Sequence, residues 1–235
     1  SLNIPAVRTL LLTGTEPFLD TLRRAGFGTL TERADHYGLS LALGGADVRL
    51  LDLANAYRAL ANLGLWQAPH LAPGEPPSPA RRVFSPEVAF IVGDILSDRG
   101  ARAPTFGLEN ALATRFWSAV KTGTSKDMRD NWCVGFSDRY TIGVWVGNFN
   151  GEPMWDVSGI HGAAPVWREL MHALHADRPS RPPTPPKSLR STQVRFADID
   201  EAPRREWFIA GTELNAVARS RGGDTPPHIR YPANG

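Results

Sequence analysis

Three apolar stretches in the middle of the chain decide its fold: Ala113-Thr-Arg-Phe-Trp-Ser-Ala-Val-Lys-Thr-Gly123, Asn131-Trp-Cys-Val-Gly-Phe136 and Tyr140-Thr-Ile-Gly-Val-Trp-Val-Gly-Asn148. Each stretch is rich in aromatic and β-branched residues, which predicts a strand. The polar residues 137–139 separate the second stretch from the third and predict a tight hairpin turn. We therefore expect three adjacent antiparallel strands in this part of the chain.

Helices are predicted on both sides of these strands. Ser85 is a typical N-cap, Pro86 suits the first helical position, and Asp47 is a plausible N-cap for an earlier helix. Apolar residues at helical spacing predict the helices Ile4–Leu12, Glu16–Ala25, Val48–Leu63, Pro86–Ser97 and Ala164–His175. Helices packed on an antiparallel sheet define the α+β fold class.

A change of composition divides the chain near residue 176. Five prolines lie between residues 176 and 187, which predicts a stiff linker over residues 176–190. Residues 1–175 are expected to form the main domain. Short strands at Thr192–Phe196 and Glu206–Ala210 predict that residues 191–235 form a β-rich module that is cut short.

The bulk composition excludes several classes of protein. A net charge of +2 and no basic run with aromatics argue against nucleic acid as a partner. The single cysteine, Cys133, excludes an internal disulfide framework and a cysteine-based zinc site. No stretch is long and apolar enough to span a membrane. The chain begins at Ser1 rather than Met, so we expect upstream sequence, and any membrane anchor, to precede it.

Lys121, Thr122, Gly123 and Thr124 place an ammonium, two hydroxyls and a flexible backbone at the end of the first predicted strand. Lysine supplies positive charge, the threonine hydroxyls donate hydrogen bonds, and glycine lets a ligand backbone come close. Such a strand edge suits an extended peptide that ends in a carboxylate.

Ser1-Leu-Asn3 and Lys121-Thr-Gly123 together form an S-x-N and K-T-G pair in that order. With the flanking segments, the chain resembles the transpeptidase domain of class A penicillin-binding proteins. Within that class it most resembles the 1C subgroup. The matching segments are Ser1–Arg8, Tyr37–Gly45, Asp130–Phe136, Val146–Met154, Trp155–Gly159, Ala163–Trp167 and Arg204–Glu213.

The resemblance implies a role for each motif residue. Ser1, Asn3 and Lys121 would be catalytic: the Ser1 hydroxyl relays a proton, the Asn3 amide hydrogen-bonds the substrate, and Lys121 supplies a positive field. Residues Thr122 to Thr124 would bind the substrate, with the Thr124 backbone N–H as an oxyanion-hole donor. No cofactor and no metal are implied.

The resemblance also implies the reaction and its setting. Class A proteins are peptidoglycan D,D-transpeptidases, in which a serine attacks D-alanyl-D-alanine stem peptides. β-Lactams acylate that same serine. The parent protein would carry a glycosyltransferase domain upstream and work at the periplasmic face of the bacterial inner membrane. Its C-terminal module would be the contact for cell-wall protein partners.

One departure from the family concerns the nucleophile. The family's attacking serine lies in an S-x-x-K motif before S-x-N, whereas the only such match here is Ser118–Lys121. Residues three apart on a strand point to opposite faces, so Ser118 and Lys121 are not expected to cooperate. The chain alone is therefore expected to be inactive.

Several alternatives remain open at this point. The alternatives are a partner- or glycan-binding module with little transpeptidation, and a β-lactamase or D,D-carboxypeptidase relative. An N-terminal-nucleophile hydrolase using Ser1 has no other support in the sequence. His172 and His175 lie three residues apart on a predicted helix, but no further metal ligand is obvious. We therefore expect them to lie at a solvated helix end. Most of the tryptophans at positions 132, 145, 155 and 167 are expected in the core, although they could also stack on sugar rings.

Overall fold

The computed structural model describes residues 2–197 and 201–218 of the 235-residue chain. The chain folds as two compact units, Ser1–Pro183 and Thr184–Gly235. In the described part, the helices are α1 (Asn3–Thr13), α2 (Thr15–Arg24), α3 (Ala34–Tyr37), α4 (Leu50–Ala61), α5 (Pro86–Ser97), α6 (Arg99–Phe106) and α7 (Ala163–Leu174), with 3-10 turns at Gly38–Leu43 and Lys126–Met128.

The strands of the first unit form two sheets. A two-residue pair joins β1 (Leu65–Trp66) to β2 (Arg81–Arg82). The main sheet has the order β3 (Ala119–Thr124), β4 (Asp130–Phe136) and β5 (Thr141–Gly147), and both pairings are antiparallel. In the sheet that the structure describes, β3 is therefore an edge strand.

Helix α7 covers one face of the main sheet. Trp167 and Met171 are fully buried there with Val120 and Cys133. A Cβ on Gly135 would lie 2.7 Å from the Trp167 ring, so the absence of a side chain lets the helix approach closely. Each of the large buried side chains contributes roughly 1.5–3 kcal/mol to the stability of this layer.

Helix α4 packs on the opposite face of the sheet. A Cβ on Gly143 would lie 3.0 Å from Leu50 and 3.3 Å from Ala54. Gly143 pairs with Val134, and Val134 pairs with Lys121, so the three residues share this face. A separate core beneath α1, α2 and α4 contains Leu19, Phe27 and other buried residues. Helices on both faces of an antiparallel sheet confirm the predicted α+β class.

The local sequence patterns predicted most elements to within a few residues. Helix α5 spans Pro86–Ser97 as expected, and the Ser85 hydroxyl accepts a hydrogen bond from the Val88 N–H. The prediction of Asp47 as an N-cap was wrong. Helix α4 begins at Leu50 with Arg49 at the N-cap position and no side-chain cap.

The first strand begins six residues later than predicted, at Ala119 instead of Ala113. Thr114 explains the difference, because its hydroxyl bonds to the Phe116 carbonyl at 2.6 Å and to the Ser118 hydroxyl at 2.9 Å. Such local side-chain bonds hold the backbone in a turn instead of a strand ladder.

The second unit is a small sheet. Strand β6 (Leu189–Ala197) pairs antiparallel with β7 (Arg204–Ile209) and parallel with β8 (Ala216–Ala218). β6 begins at Leu189, inside the segment predicted as linker, and β8 was not predicted. The remainder of the predicted module, residues 219–235, lies outside the described residues.

Candidate active site

Strand β3 places Lys121 and Thr122 on opposite faces of the sheet. Thr122 pairs with Cys133, which is buried with α7. Lys121 pairs with Val134 and lies on the face that α4 covers. The ammonium is thus directed away from the α7 core, toward the layer of helices on the other side.

Lys121 is half-buried, and its ammonium donates a 2.5 Å hydrogen bond to the Thr122 carbonyl. Burial lowers the pKa of the Lys121 ammonium below its ordinary value, and electrostatic coupling to the Cys133 thiol offsets part of that shift. Lowering the pKa of a lysine brings it nearer to the range in which it can exchange a proton with a substrate.

Cys133 itself takes no part in such chemistry. It is fully buried, and burial raises the pKa of its thiol above the ordinary range. A neutral buried thiol is a poor nucleophile, so Cys133 serves as a small core residue.

Thr124 ends β3 with an exposed hydroxyl. Its oxygen accepts a 3.0 Å hydrogen bond from the backbone N–H of Gly159. Because that bond uses the oxygen as acceptor, the hydroxyl proton remains available to donate to an anion. The contact orients Thr124 through a residue 35 positions further along the chain.

Gly159 also lies directly against the strands. A Cβ at this position would lie 2.5 Å from the Gly123 carbonyl oxygen and 2.8 Å from the Trp132 carbonyl oxygen. Only glycine permits such an approach without moving the backbone. The segment around Gly159 therefore buttresses the end of β3, where Gly123 and Thr124 lie.

Asn131 ties the same segment to β4. Its side chain is fully buried and its amide nitrogen donates to the Val157 carbonyl at 2.8 Å. Asn131 pairs with Thr124 across the sheet. Sequence reasoning missed both Asn131 and Gly159, although the quoted family segments contain them, because nothing local in the sequence links them to β3.

Asn3 is not joined to this strand in the described part of the chain. Asn3 is exposed at the first residue of α1, and no hydrogen bond joins it to Lys121 or Thr124. Ser1 lies outside the described residues. The catalytic roles of Ser1 and Asn3 thus remain predictions.

Ser118 is held in a structural contact. It is buried just before β3 begins, and its hydroxyl lies 2.9 Å from the Thr114 hydroxyl. This partner agrees with the expectation that Ser118 is not a nucleophile.

His175 corrects the prediction of a solvated helix end. It is buried, its Nε2 lies 2.8 Å from the Ser137 hydroxyl, and its ring contacts Phe116 at 4.6 Å. It therefore fastens the end of α7 to the β4–β5 turn.

Among the described residues no group of three or more histidine, cysteine, aspartate or glutamate side chains is placed to hold a metal ion. No helix among them is long and apolar enough to cross a bilayer.

Comparison with known proteins places this fold and this strand in context. The family model for the penicillin binding protein transpeptidase domain matches residues 1–172. Penicillin-binding protein 1C of Escherichia coli is 35% identical over 174 residues, which are 74% of this chain and 22% of that protein. The chain thus spans about a fifth of the length of this relative.

Two solved structures share the fold. The crystal structure of penicillin-binding protein 1A from Haemophilus influenzae superposes with a TM-score of 0.72 at 22% identity, over 90% of this chain and 39% of that one. Penicillin-binding protein A from M. tuberculosis, solved as a ceftriaxone acyl-enzyme complex, gives a TM-score of 0.54 at 20% identity, over 73% and 46%.

An α+β domain with a half-buried K-T-G lysine on an edge strand defines the class of penicillin-recognising transpeptidase folds. Since the family model covers most of its length, this chain belongs to the penicillin-binding protein transpeptidase family. The 35% identity to the 1C protein is consistent with a 1C-like member.

Proposed function

We propose that this chain is the substrate-holding part of a serine D,D-transpeptidase that cross-links peptidoglycan stem peptides. The observation that carries the proposal is the end of β3, where a half-buried lysine lies beside two threonines on an open strand edge. An extended peptide pairs with such an edge through its backbone, while Thr122 and Thr124, which share one face of β3, receive its terminal carboxylate and the Lys121 ammonium supplies positive charge from the other face.

The proposed reaction is acyl transfer in two steps. A serine hydroxyl attacks the carbonyl carbon of the penultimate D-alanine, the peptide C–N bond breaks, and the last D-alanine leaves with a proton on its amine. An amine of a second stem then attacks the serine ester, forming the cross-link and returning the proton to the serine. A β-lactam carbonyl reacts with the same serine by ring opening.

Lys121 and Thr124 of β3 have separate parts in these steps. Lys121 supplies positive charge and assists proton transfer, which its lowered pKa favours. The Thr124 backbone N–H stabilises the oxyanion, with its position set by the contact to Gly159. Ser1 and Asn3 would relay the proton to the leaving amine and bind the substrate amide.

We place the attacking serine outside these 235 residues. The single S-x-x-K match ends at Lys121, and its serine, Ser118, is buried against Thr114. The chain by itself would hold a substrate without forming an acyl-enzyme. The parent would be bifunctional, with a glycosyltransferase domain and a membrane anchor, at the periplasmic face of the inner membrane.

Labelling with fluorescent penicillin tests where the serine lies. The 235-residue chain should not label, whereas the full-length parent should carry a label that survives denaturation and is blocked by prior incubation with unlabelled penicillin. Stable labelling of the isolated chain would contradict the assignment of the serine to another segment.

A binding measurement tests the substrate-holding role directly. A sugar-free stem pentapeptide ending in D-alanyl-D-alanine should bind the chain and bind the Lys121→Ala variant at least about tenfold more weakly. Lys126→Ala, which removes an exposed lysine two residues past β3, is the matched control. Equal losses from both variants would argue for unspecific charge attraction instead of a site.

A role for the second unit accompanies this function. The β6–β7–β8 sheet belongs to a separate compact unit, which suits a module that contacts cell-wall proteins while the first unit holds the peptide. Capture of a partner by residues 184–235 alone, and not by residues 1–183, would support that division. Capture by the first unit alone would contradict it.

A further inference from the structure

A row of three aromatic side chains crosses the sheet beside the Lys121 strand. Trp132 and Trp145 have ring centroids 6.4 Å apart, and Trp145 and Phe149 have centroids 5.4 Å apart. Trp132 pairs with Gly123, and a Cβ on Gly123 would lie 3.5 Å from the Trp132 Cβ. The row, Trp132–Trp145–Phe149, therefore starts against β3 and ends beyond β5.

The outer end of the row is fully exposed, and its backbone lies in a hydrogen-bonded turn. Phe149 is 100% exposed. It lies in a turn closed by a 2.9 Å bond from the Gly151 N–H to the Asn148 carbonyl, and the Asn148 side chain bonds to the Glu152 carbonyl at 3.0 Å. Because this turn holds the phenyl ring in water, burial of the ring contributes nothing to the stability of the fold.

Trp145 is held in a fixed orientation. Its indole N–H donates a 2.9 Å hydrogen bond to the Asp130 carboxylate, whose other oxygen accepts from the Ser125 hydroxyl at 2.8 Å. With its only polar side-chain atom satisfied, the half-buried Trp145 can offer a ligand only apolar ring surface. A preset aromatic plane loses little conformational entropy when a ligand stacks on it.

Polar side chains follow the exposed end of the row along the chain. Asn148, Asn150, Glu152 and Asp156 are all exposed in the segment that follows β5, together with Trp155, which is 90% exposed. Flat apolar rings with amides and carboxylates nearby in the chain suit a ligand with an apolar face and hydroxyl edges, which describes a pyranose ring. If an apolar surface of a partner protein docked here instead, it would remove water from these carboxylates and offer them no hydrogen-bond partners.

We propose that the aromatic row binds sugar rings of a peptidoglycan glycan strand. The inference rests on the proposed function, because the stem peptide on β3 is covalently attached to such a glycan, and the row begins on β4, at the residue that pairs with Gly123 of β3. The row would hold the glycan over β4 and β5, next to the strand that holds the stem peptide. Sugar recognition is thus assigned to the transpeptidase fold itself.

Isothermal titration with peptide-free strands of alternating N-acetylglucosamine and N-acetylmuramic acid tests the inference. The chain should bind these strands, Phe149→Ala should weaken binding about tenfold, and Phe149→Tyr should restore it. Leu71→Ala, a truncation of another exposed apolar side chain (76% exposed) in a different loop, should bind as the unaltered chain does. Because Phe149 is fully exposed, its replacement does not threaten the fold.

Three outcomes would overturn the inference: no saturable glycan binding, equal binding by Phe149→Ala and Leu71→Ala, or a change of self-association alone in the Phe149 variant. The sugar-free stem pentapeptide, titrated into the same preparation, separates the two proposals. Peptide binding without glycan binding would refute sugar binding by the aromatic row and leave the proposed transpeptidase role standing. Glycan binding without peptide binding would support the row as a sugar site and refute the proposed transpeptidase role.

Discussion

The Thr124 hydroxyl and the Gly159 backbone N–H are joined by a 3.0 Å hydrogen bond. The bond connects the last residue of the K-T-G strand to a segment that follows β5 and leads into α7. It makes the position of the Thr124 hydroxyl, which we propose binds the substrate carboxylate, depend on Gly159. Changes at Gly159 should therefore be felt at β3.

Replacement of Gly159 by alanine should destabilise the chain and weaken peptide binding. The new Cβ would lie 2.5 Å from the Gly123 carbonyl oxygen, and overpacking of this kind usually costs roughly 1–3 kcal/mol. Thermal unfolding and stem-pentapeptide titration measure the two effects. Gly28→Ala is the control, because its nearest neighbour is an arginine nitrogen at 3.7 Å. An unchanged melting temperature in Gly159→Ala would mean that the segment moves freely.

Replacement of Thr124 by valine should weaken binding of a carboxylate-ended peptide by roughly 10- to 100-fold. A hydrogen bond to a charged group contributes about 1.5–3 kcal/mol, and valine keeps the shape while removing the hydroxyl. Thr124→Ser restores the hydroxyl and should recover most of the affinity. Titration of the stem pentapeptide gives both values. If valine and serine behave alike, the hydroxyl is not a ligand contact.

Lys121→Met should stabilise the fold at pH 7 and abolish the proposed role of Lys121 in peptide binding and proton transfer. Burial lowers the pKa of Lys121 in the folded chain below its ordinary value of 10.5, so the folded state binds this proton more weakly than the unfolded state does. The charged lysine therefore destabilises the fold below its folded pKa, and this penalty disappears as the pH rises toward 10.5.

The measurement is the melting temperature of Lys121→Met and of the unaltered chain at pH 7 and near pH 10. We expect methionine to raise it by roughly 2–4 °C at pH 7, the shift that 1 kcal/mol produces in a domain of this size, and the gap to narrow at the higher pH. Lys126→Met controls for loss of an exposed charge. A gap that widens with pH would contradict the sign of the pKa shift.

Asn131→Ala should loosen the segment that supports Thr124. The substitution leaves the Val157 carbonyl without its 2.8 Å donor, and an unsatisfied polar group in a part-buried site costs roughly 1–3 kcal/mol. Hydrogen exchange of the Gly159 amide should become faster, and the melting temperature should fall. Asn62→Ala removes an exposed asparagine elsewhere and should change neither. Unchanged exchange at Gly159 would show that Thr124 alone holds the segment.

Local sequence patterns were enough to predict the elements that carry the site. The Ser85–Pro86 pair located α5, and the polar residues 137–139 located the β4–β5 turn, because caps and turns depend on a few adjacent residues. Helix α6 escaped prediction, since Pro104 lies inside it and argues against a helix. Its N-terminus is nevertheless stabilised by the Asp98 side chain, which accepts from the Ala101 N–H.

The candidate site was predicted only in its contiguous part. Lys121 to Thr124 are adjacent in the chain, so their motif is visible in the sequence. Gly159 and Asn131 support the same strand through contacts that span 35 and 26 positions, and such contacts follow from tertiary packing. The exposed Phe149 likewise becomes meaningful only beside Trp145 and Trp132.

The edge position of β3 has a consequence for the chain's behaviour in concentrated solution. An open strand edge offers unpaired backbone groups to any extended segment, including the same edge of another copy. The charge of Lys121 and the weak strand propensity of Gly123 oppose such pairing between copies. The residues that would hold a peptide thus also disfavour aggregation. Replacing them with valine or isoleucine would remove the proposed ligand site and promote edge-to-edge pairing between copies.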